Sequence, residues 1–130
     1  MKRSSLRRNL PPKRPAYHKA WLALHPRCWF CGTTDNLQTH EIARGAHRAK
    51  ALQEPAAWVR TCGDCHRDWF DGMPVARQLA HKLIFDHEHY DRIAVNLLRH
   101  RAPGAVTEVE VFLEAMDILR QKPEGGNDAA

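Results

Sequence analysis

Two Cys-x-x-Cys units, Cys28-Trp29-Phe30-Cys31 and Cys62-Gly63-Asp64-Cys65, stand thirty residues apart in a chain of 130 residues and contain all four of its cysteines. Four thiolates in two equally spaced pairs reach one tetrahedral site only if the chain between them doubles back. Zinc suits such a site, because it takes four sulfur ligands at ~2.3 Å with no geometric demand from its d-electrons. Gly32 directly follows the first pair and Gly63 lies inside the second, where a tight turn must point backbone amides at sulfur. A closed shell of Cys28, Cys31, Cys62 and Cys65 leaves no coordination position open, so the zinc it implies is structural.

That assignment needs a reducing setting. The N-terminal MKRSSLRRNLPPKRP is basic with no apolar stretch behind it, which predicts no secretory signal, and no apolar run approaches the ~20 residues of a membrane span. The expectation is a cytoplasmic protein, not a membrane protein, whose paired thiols hold metal rather than disulfides. Twenty Lys and Arg against fifteen Asp and Glu give a net charge of +5, which favours nucleic acid as a polyanionic partner through counterion release. On composition alone a solvated basic surface serves equally well.

The length suits one domain with tails. Residues 1–19 carry Lys2, Arg3, Arg7, Arg8, Lys13, Arg14 and Lys19 with no acidic residue, and Pro11, Pro12 and Pro15 oppose helix, which predicts an extended basic arm. Such an arm either solubilises the chain or tracks phosphates and orders on binding. A helical turn is expected over Tyr17 to Leu24, stopped by His25-Pro26. Residues 20–72 form the metal-organised core: a first knuckle, a turn at 33–36, a short β-hairpin around 37–42, a polar connector, and a second knuckle leading into a helix. Residues 73–120 form a helical extension. Pro74 suits a first helical position before Val75, Leu79, Leu83 and Ile84, and Ile93, Leu97 and Leu98 mark a second helix. Thr107 and Glu110 form a capping box for a last helix, with Val109, Phe112, Leu113, Met116 and Leu119 as its packing stripe. Residues 121–130 are expected to be disordered. Trp29, Trp58 and Trp69 flank the cysteines as shielding for the metal core. The cluster from Asp86 to His89 is expected to be a solvated polar turn, since neighbours two apart do not converge.

Three segments, CWFCG at 28–32, THEI at 39–42 and CGDCH at 62–66, together resemble the zinc-bearing members of the HNH, or ββα-metal, endonuclease family over about a third of the chain. In that family a hairpin strand carries a metal ligand followed by a general-base histidine, and a second metal-binding histidine directly follows the second knuckle. The resemblance implies a small α+β fold with a zinc-organised ββα-metal core and additional C-terminal helices. It also implies metal-dependent hydrolysis of phosphodiester bonds, most naturally in DNA. Position by position, His40 falls on the first metal ligand and His66 on the last. A second divalent ion (Mg2+, Mn2+, Ni2+ or Zn2+) would lie between them. Glu41 stands where the family has its base, Ala57 where it has its middle asparagine, and Phe70 where a third ligand would be; Asp68 or Asp71 is the substitute for that ligand. A carboxylate accepts a proton less readily at neutral pH than an imidazole. Two readings therefore follow: a nuclease using His40, Glu41 and His66, in a second register with His40 as base, or a zinc-stabilised nucleic-acid-binding module without hydrolysis. The basic stretch after the pair offers Arg44, His47, Arg48 and Lys50 to the phosphates beside the scissile bond, or is an exposed loop. His47 is a reserve base.

Overall fold

The computed structural model of the chain describes residues 14–42, 48–99 and 105–129, without the side chains of Arg48 and residues 122–129. It is a small α+β structure: helix α1 (Tyr17–Leu24), strand β1 (Leu37–Glu41), the short α2 (Arg48–Ala51), strand β2 (Trp58–Cys62), the turn α3 (Gly63–Cys65), then α4 (Val75–Phe85), α5 (Arg92–Arg99) and α6 (Glu108–Ala129). No helix among the described residues is long and apolar enough to cross a membrane.

The sheet corrects one expectation. The segment at 37–42 supplies a single strand, and its antiparallel partner is β2, with Leu37 opposite Cys62, His40 opposite Val59 and Glu41 opposite Trp58. β2 falls within what the sequence presents as a polar connector, yet Trp58, Val59 and Thr61 are all fully buried. Sealing both faces of so short a strand, at ~1.5–3 kcal/mol for each large apolar side chain, is what makes a strand of it. Ala57, at the family's asparagine position, accepts the Ile42 amide through its carbonyl at 2.8 Å.

The main core joins Trp21, Trp29, Trp58, Phe70, Leu79, Val95, Val111 and Ile118. Trp29 and Trp58 thus serve this core rather than the cysteines, and Trp69 is exposed. α6 packs along α4, but on a different face from the one expected. Val111, Ala115 and Ile118 are buried, while Val109, Phe112, Leu113, Met116 and Leu119 are exposed. Both faces of this helix are apolar, so periodicity alone does not choose between them. Small Ala115 permits close approach to α4, and Arg77 of α4 clamps the helix through Glu114 at 2.7 Å and Asp117 at 2.9 Å. The capping box forms reciprocally: Thr107 Oγ1 accepts from the Glu110 amide at 3.2 Å, and Glu110 Oε1 accepts from the Thr107 amide at 3.0 Å. The helix then runs to Ala129, through residues expected to be disordered; once nucleated, a helix adds one hydrogen bond per residue.

Beneath the aromatic cluster lies a polar hub. Lys82, fully buried, donates to the carbonyls of Pro55 and Trp58 at 2.7 and 2.8 Å and to Asp86 at 2.7 Å. Asp86 also accepts the Trp21 indole at 2.8 Å and meets His89 at 3.0 Å and His25 at 3.5 Å. Asp86 is therefore an internal anchor rather than part of a solvated turn, although His87 and Glu88 beside it are exposed. A buried ammonium is tolerable only with its hydrogen-bonding capacity filled, and here three oxygens fill it.

A four-cysteine centre and a histidine pair at the strand–helix junction

The first knuckle closes because Gly32 adopts φ +77°, a left-handed conformation that costs glycine nothing, and its amide returns to the Cys28 carbonyl at 3.0 Å. At the second knuckle a Cβ on Gly63 would stand 2.4 Å from the Asn36 side-chain nitrogen, so a larger residue there would have to displace the Asn36 amide. The ligand atoms of Cys28, Cys31, Cys62 and Cys65 all lie within 4.8 Å of one another, and Cys31 Sγ is 3.7 Å from Cys62 Sγ. Amides point inward as the spacing requires, Phe30 to Cys28 Sγ and Cys65 to Cys62 Sγ, each at 3.4 Å. Burial pushes the Cys28 thiol up, but the amides of Cys31 and Phe30 outweigh it and bring it down to about 6. Burial and the neighbouring sulfurs push Cys65 the other way. Four thiols crowded so closely, one already favouring thiolate, match the donor set of a four-sulfur metal site.

Beyond Cys65 the backbone widens into a π-type turn, His66–Phe70, closed by the Asp71 amide on the His66 carbonyl at 2.9 Å. It presents His66 and Phe70 to β1. His40 Nδ1 faces His66 Nε2 at 3.0 Å, and the His40 ring stacks on Phe70 with centroids 4.8 Å apart. The two expected metal-ligand histidines therefore meet, whereas Phe70 is fully buried and supplies packing instead of a third ligand. Asp68 is engaged by Arg67 at 3.2 Å, and Asp71 is exposed.

Glutamines hold both rings. Gln78 donates its amide nitrogen to the Met73 carbonyl at 2.7 Å, which turns its oxygen toward His40 Nε2 at 3.1 Å. His40 must then carry its proton on Nε2 and present a bare Nδ1. Gln38, exposed on β1, brings its Oε1 to 3.1 Å from His66 Nδ1. The gap between His40 Nδ1 and His66 Nε2 suits a hydrogen bond between the rings if one of the two nitrogens carries a proton, and a shared cation if neither does. Burial holds His40 below the usual imidazole range, with the Gln78 bond opposing, which keeps the ring neutral near pH 7.

Glu41 is not brought to this pair. Successive strand residues point to opposite faces, and Glu41 is buried on the other side in an ion pair with Arg14. Thr39, on the same face, meets His18 at 3.0 Å. Of the expected phosphate-gripping residues, Lys50 is exposed, the side chain of Arg48 is not described, and Arg44 and His47 lie outside the described residues, as does the basic arm before Arg14. The glutamines were missed in the sequence because amide side chains carry no motif. Comparison of the chain with known protein families, with curated proteins and with solved structures finds no match.

Proposed function

We propose that the chain is an HNH-like, metal-dependent endonuclease that hydrolyses phosphodiester bonds in DNA, built on a structural zinc held by Cys28, Cys31, Cys62 and Cys65. The observation that carries the reading is the pair of imidazole nitrogens, His40 Nδ1 and His66 Nε2, brought 3.0 Å apart at the point where the sulfur-held strand meets the following helix. A bare scaffold has no need of two histidines posed in this way. His40 and His66 would hold a divalent ion, which when bound stabilises the charge developing on the leaving oxygen. The protein's own part is to keep His40 neutral, oriented by Gln78 and backed by Phe70, and to bring His66 against it. The net charge of +5 supports a polyanionic substrate.

A second reading, a zinc-stabilised nucleic-acid-binding module, is favoured by one observation: Glu41, at the family's base position, is tied to Arg14 and turned away from the pair. Incubation with single-stranded, double-stranded and branched DNA in Mg2+, Mn2+ or Ni2+ separates the two. The nuclease reading expects cleavage that His66→Ala abolishes and His40→Ala strongly reduces, with zinc content unchanged. No cleavage of any substrate, with salt-sensitive binding that survives both substitutions, would leave the binding module.

A further inference from the structure

The helical extension does more than complete the core. We propose that Gln78, carried on α4 outside the sulfur-bound core, is a positioning residue that selects the His40 tautomer able to hold a divalent ion. The proposal rests on the reading of His40 and His66 as a metal-holding pair.

The geometry leaves Gln78 little freedom. Its side chain is buried, and the bond from its nitrogen to the Met73 carbonyl at 2.7 Å excludes the flipped amide, which would put oxygen against oxygen. Only the carbonyl end can face His40 Nε2, 3.1 Å away. Met73 lies in the link to α4, just before Pro74, which stands at the helix's N-cap. The start of α4 thus fixes an amide, the amide fixes a proton, and the proton decides which imidazole nitrogen is free. Outer partners of this kind usually set ring orientation, and their loss costs 10–100-fold in metal affinity. Neutral carbonyls suit the task because they accept the ring proton without adding charge beside a phosphodiester.

The test uses the full-length, zinc-loaded protein and two substitutions that share one lesion. Gln78→Leu and Gln78→Glu both lose the donor to Met73, but only Gln78→Glu keeps an acceptor for His40. Long-range proton–nitrogen spectra of histidine-labelled protein report the tautomer without any added metal. The expected result is an Nε2–H His40 in the wild type and in Gln78→Glu, and a mixed or Nδ1–H ring in Gln78→Leu. Ni2+ titrated by calorimetry, with zinc measured before and after, should bind about 10–100-fold more weakly to Gln78→Leu and near wild-type strength to Gln78→Glu. An unchanged tautomer and unchanged Ni2+ affinity in Gln78→Leu would overturn the proposal. Should that variant not fold, an Nδ1–H ring in Gln78→Glu overturns it equally. Wild-type protein that binds no Ni2+ beyond its zinc sinks the metal reading of the pair, while the spectra still decide whether Gln78 sets the tautomer.

Discussion

The cysteine centre and the histidine pair meet at one strand–helix junction, yet they are supported from different distances. Around the sulfurs the helping groups are local: Phe30 serves Cys28 and Cys65 serves Cys62, two and three positions along the chain. Around the imidazoles they are remote, with Gln78 reaching His40 across 38 positions and Gln38 reaching His66 across 28. A ligand set can be encoded by spacing, but the direction in which a ligand presents its lone pair depends on the tertiary fold. Removing metal from the first region should therefore damage the fold, whereas altering the second should leave the fold standing.

The largest effect expected is from the sulfur side. Chelation, or Cys65→Ser, should unfold the segment from 28 to 72, since structural zinc contributes on the order of 10–16 kcal/mol in small zinc domains; far-UV circular dichroism alongside zinc analysis will show it. Retention of full secondary structure without metal would erase the contrast between the two regions. Next, on the proposed nuclease reading, His66→Ala should lower DNA cleavage on the order of 100- to 10,000-fold, several kcal/mol of lost charge stabilisation, while zinc content and melting temperature hold. A fall in both together would make the pair structural after all.

A third substitution probes the helical half. Asp86→Ala leaves Lys82 buried without its counter-charge and should cost about 3–5 kcal/mol, measured by urea unfolding, with the four-sulfur centre intact. The same hub gives a pH signature. Burial pushes the Asp86 carboxyl up, but His25, Lys82 and Trp21 more than offset this and hold it well below the usual carboxylate range. Its stabilising share is then present above the unfolded value near ~3.9 and is lost as pH falls through the lower folded one. Burial brings Lys82 down to about 8 from 10.5. The unfolded chain binds more protons between those values, so this group raises stability as pH climbs through that window. The smallest effect belongs to Thr107→Ala, which removes the cap of α6 and should cost about 1 kcal/mol in the same unfolding assay, leaving both junction sites untouched.

Much of the core was written in spacing. The two knuckles, the turn glycine at 32 and the capping box at Thr107 and Glu110 follow from short-range patterns, while the meeting of His40 with His66, 26 positions apart, was an expectation of the family resemblance. What stayed hidden shares one cause. β2 is a strand because both its faces are covered, α6 buries Val111 rather than Phe112 because of what α4 offers it, and Glu41 is occupied by Arg14 from 27 positions away. Lys82 and Asp86 resembled ordinary surface charges, because nothing local announces that three elements will close over them.

The wide turn from His66 to Phe70 has a consequence for chain length. It holds one residue more than an ordinary helical turn, and its three middle members, Arg67, Asp68 and Trp69, are all exposed. A deletion there would discard no core side chain, yet it would rewind the segment and swing the aromatic ring of Phe70 out of phase with the imidazole it backs. Such insertions inside helices are frequent where function resides. Tolerance to shortening, normally a property of exposed loops, should therefore fail at this stretch even though its middle residues face solvent.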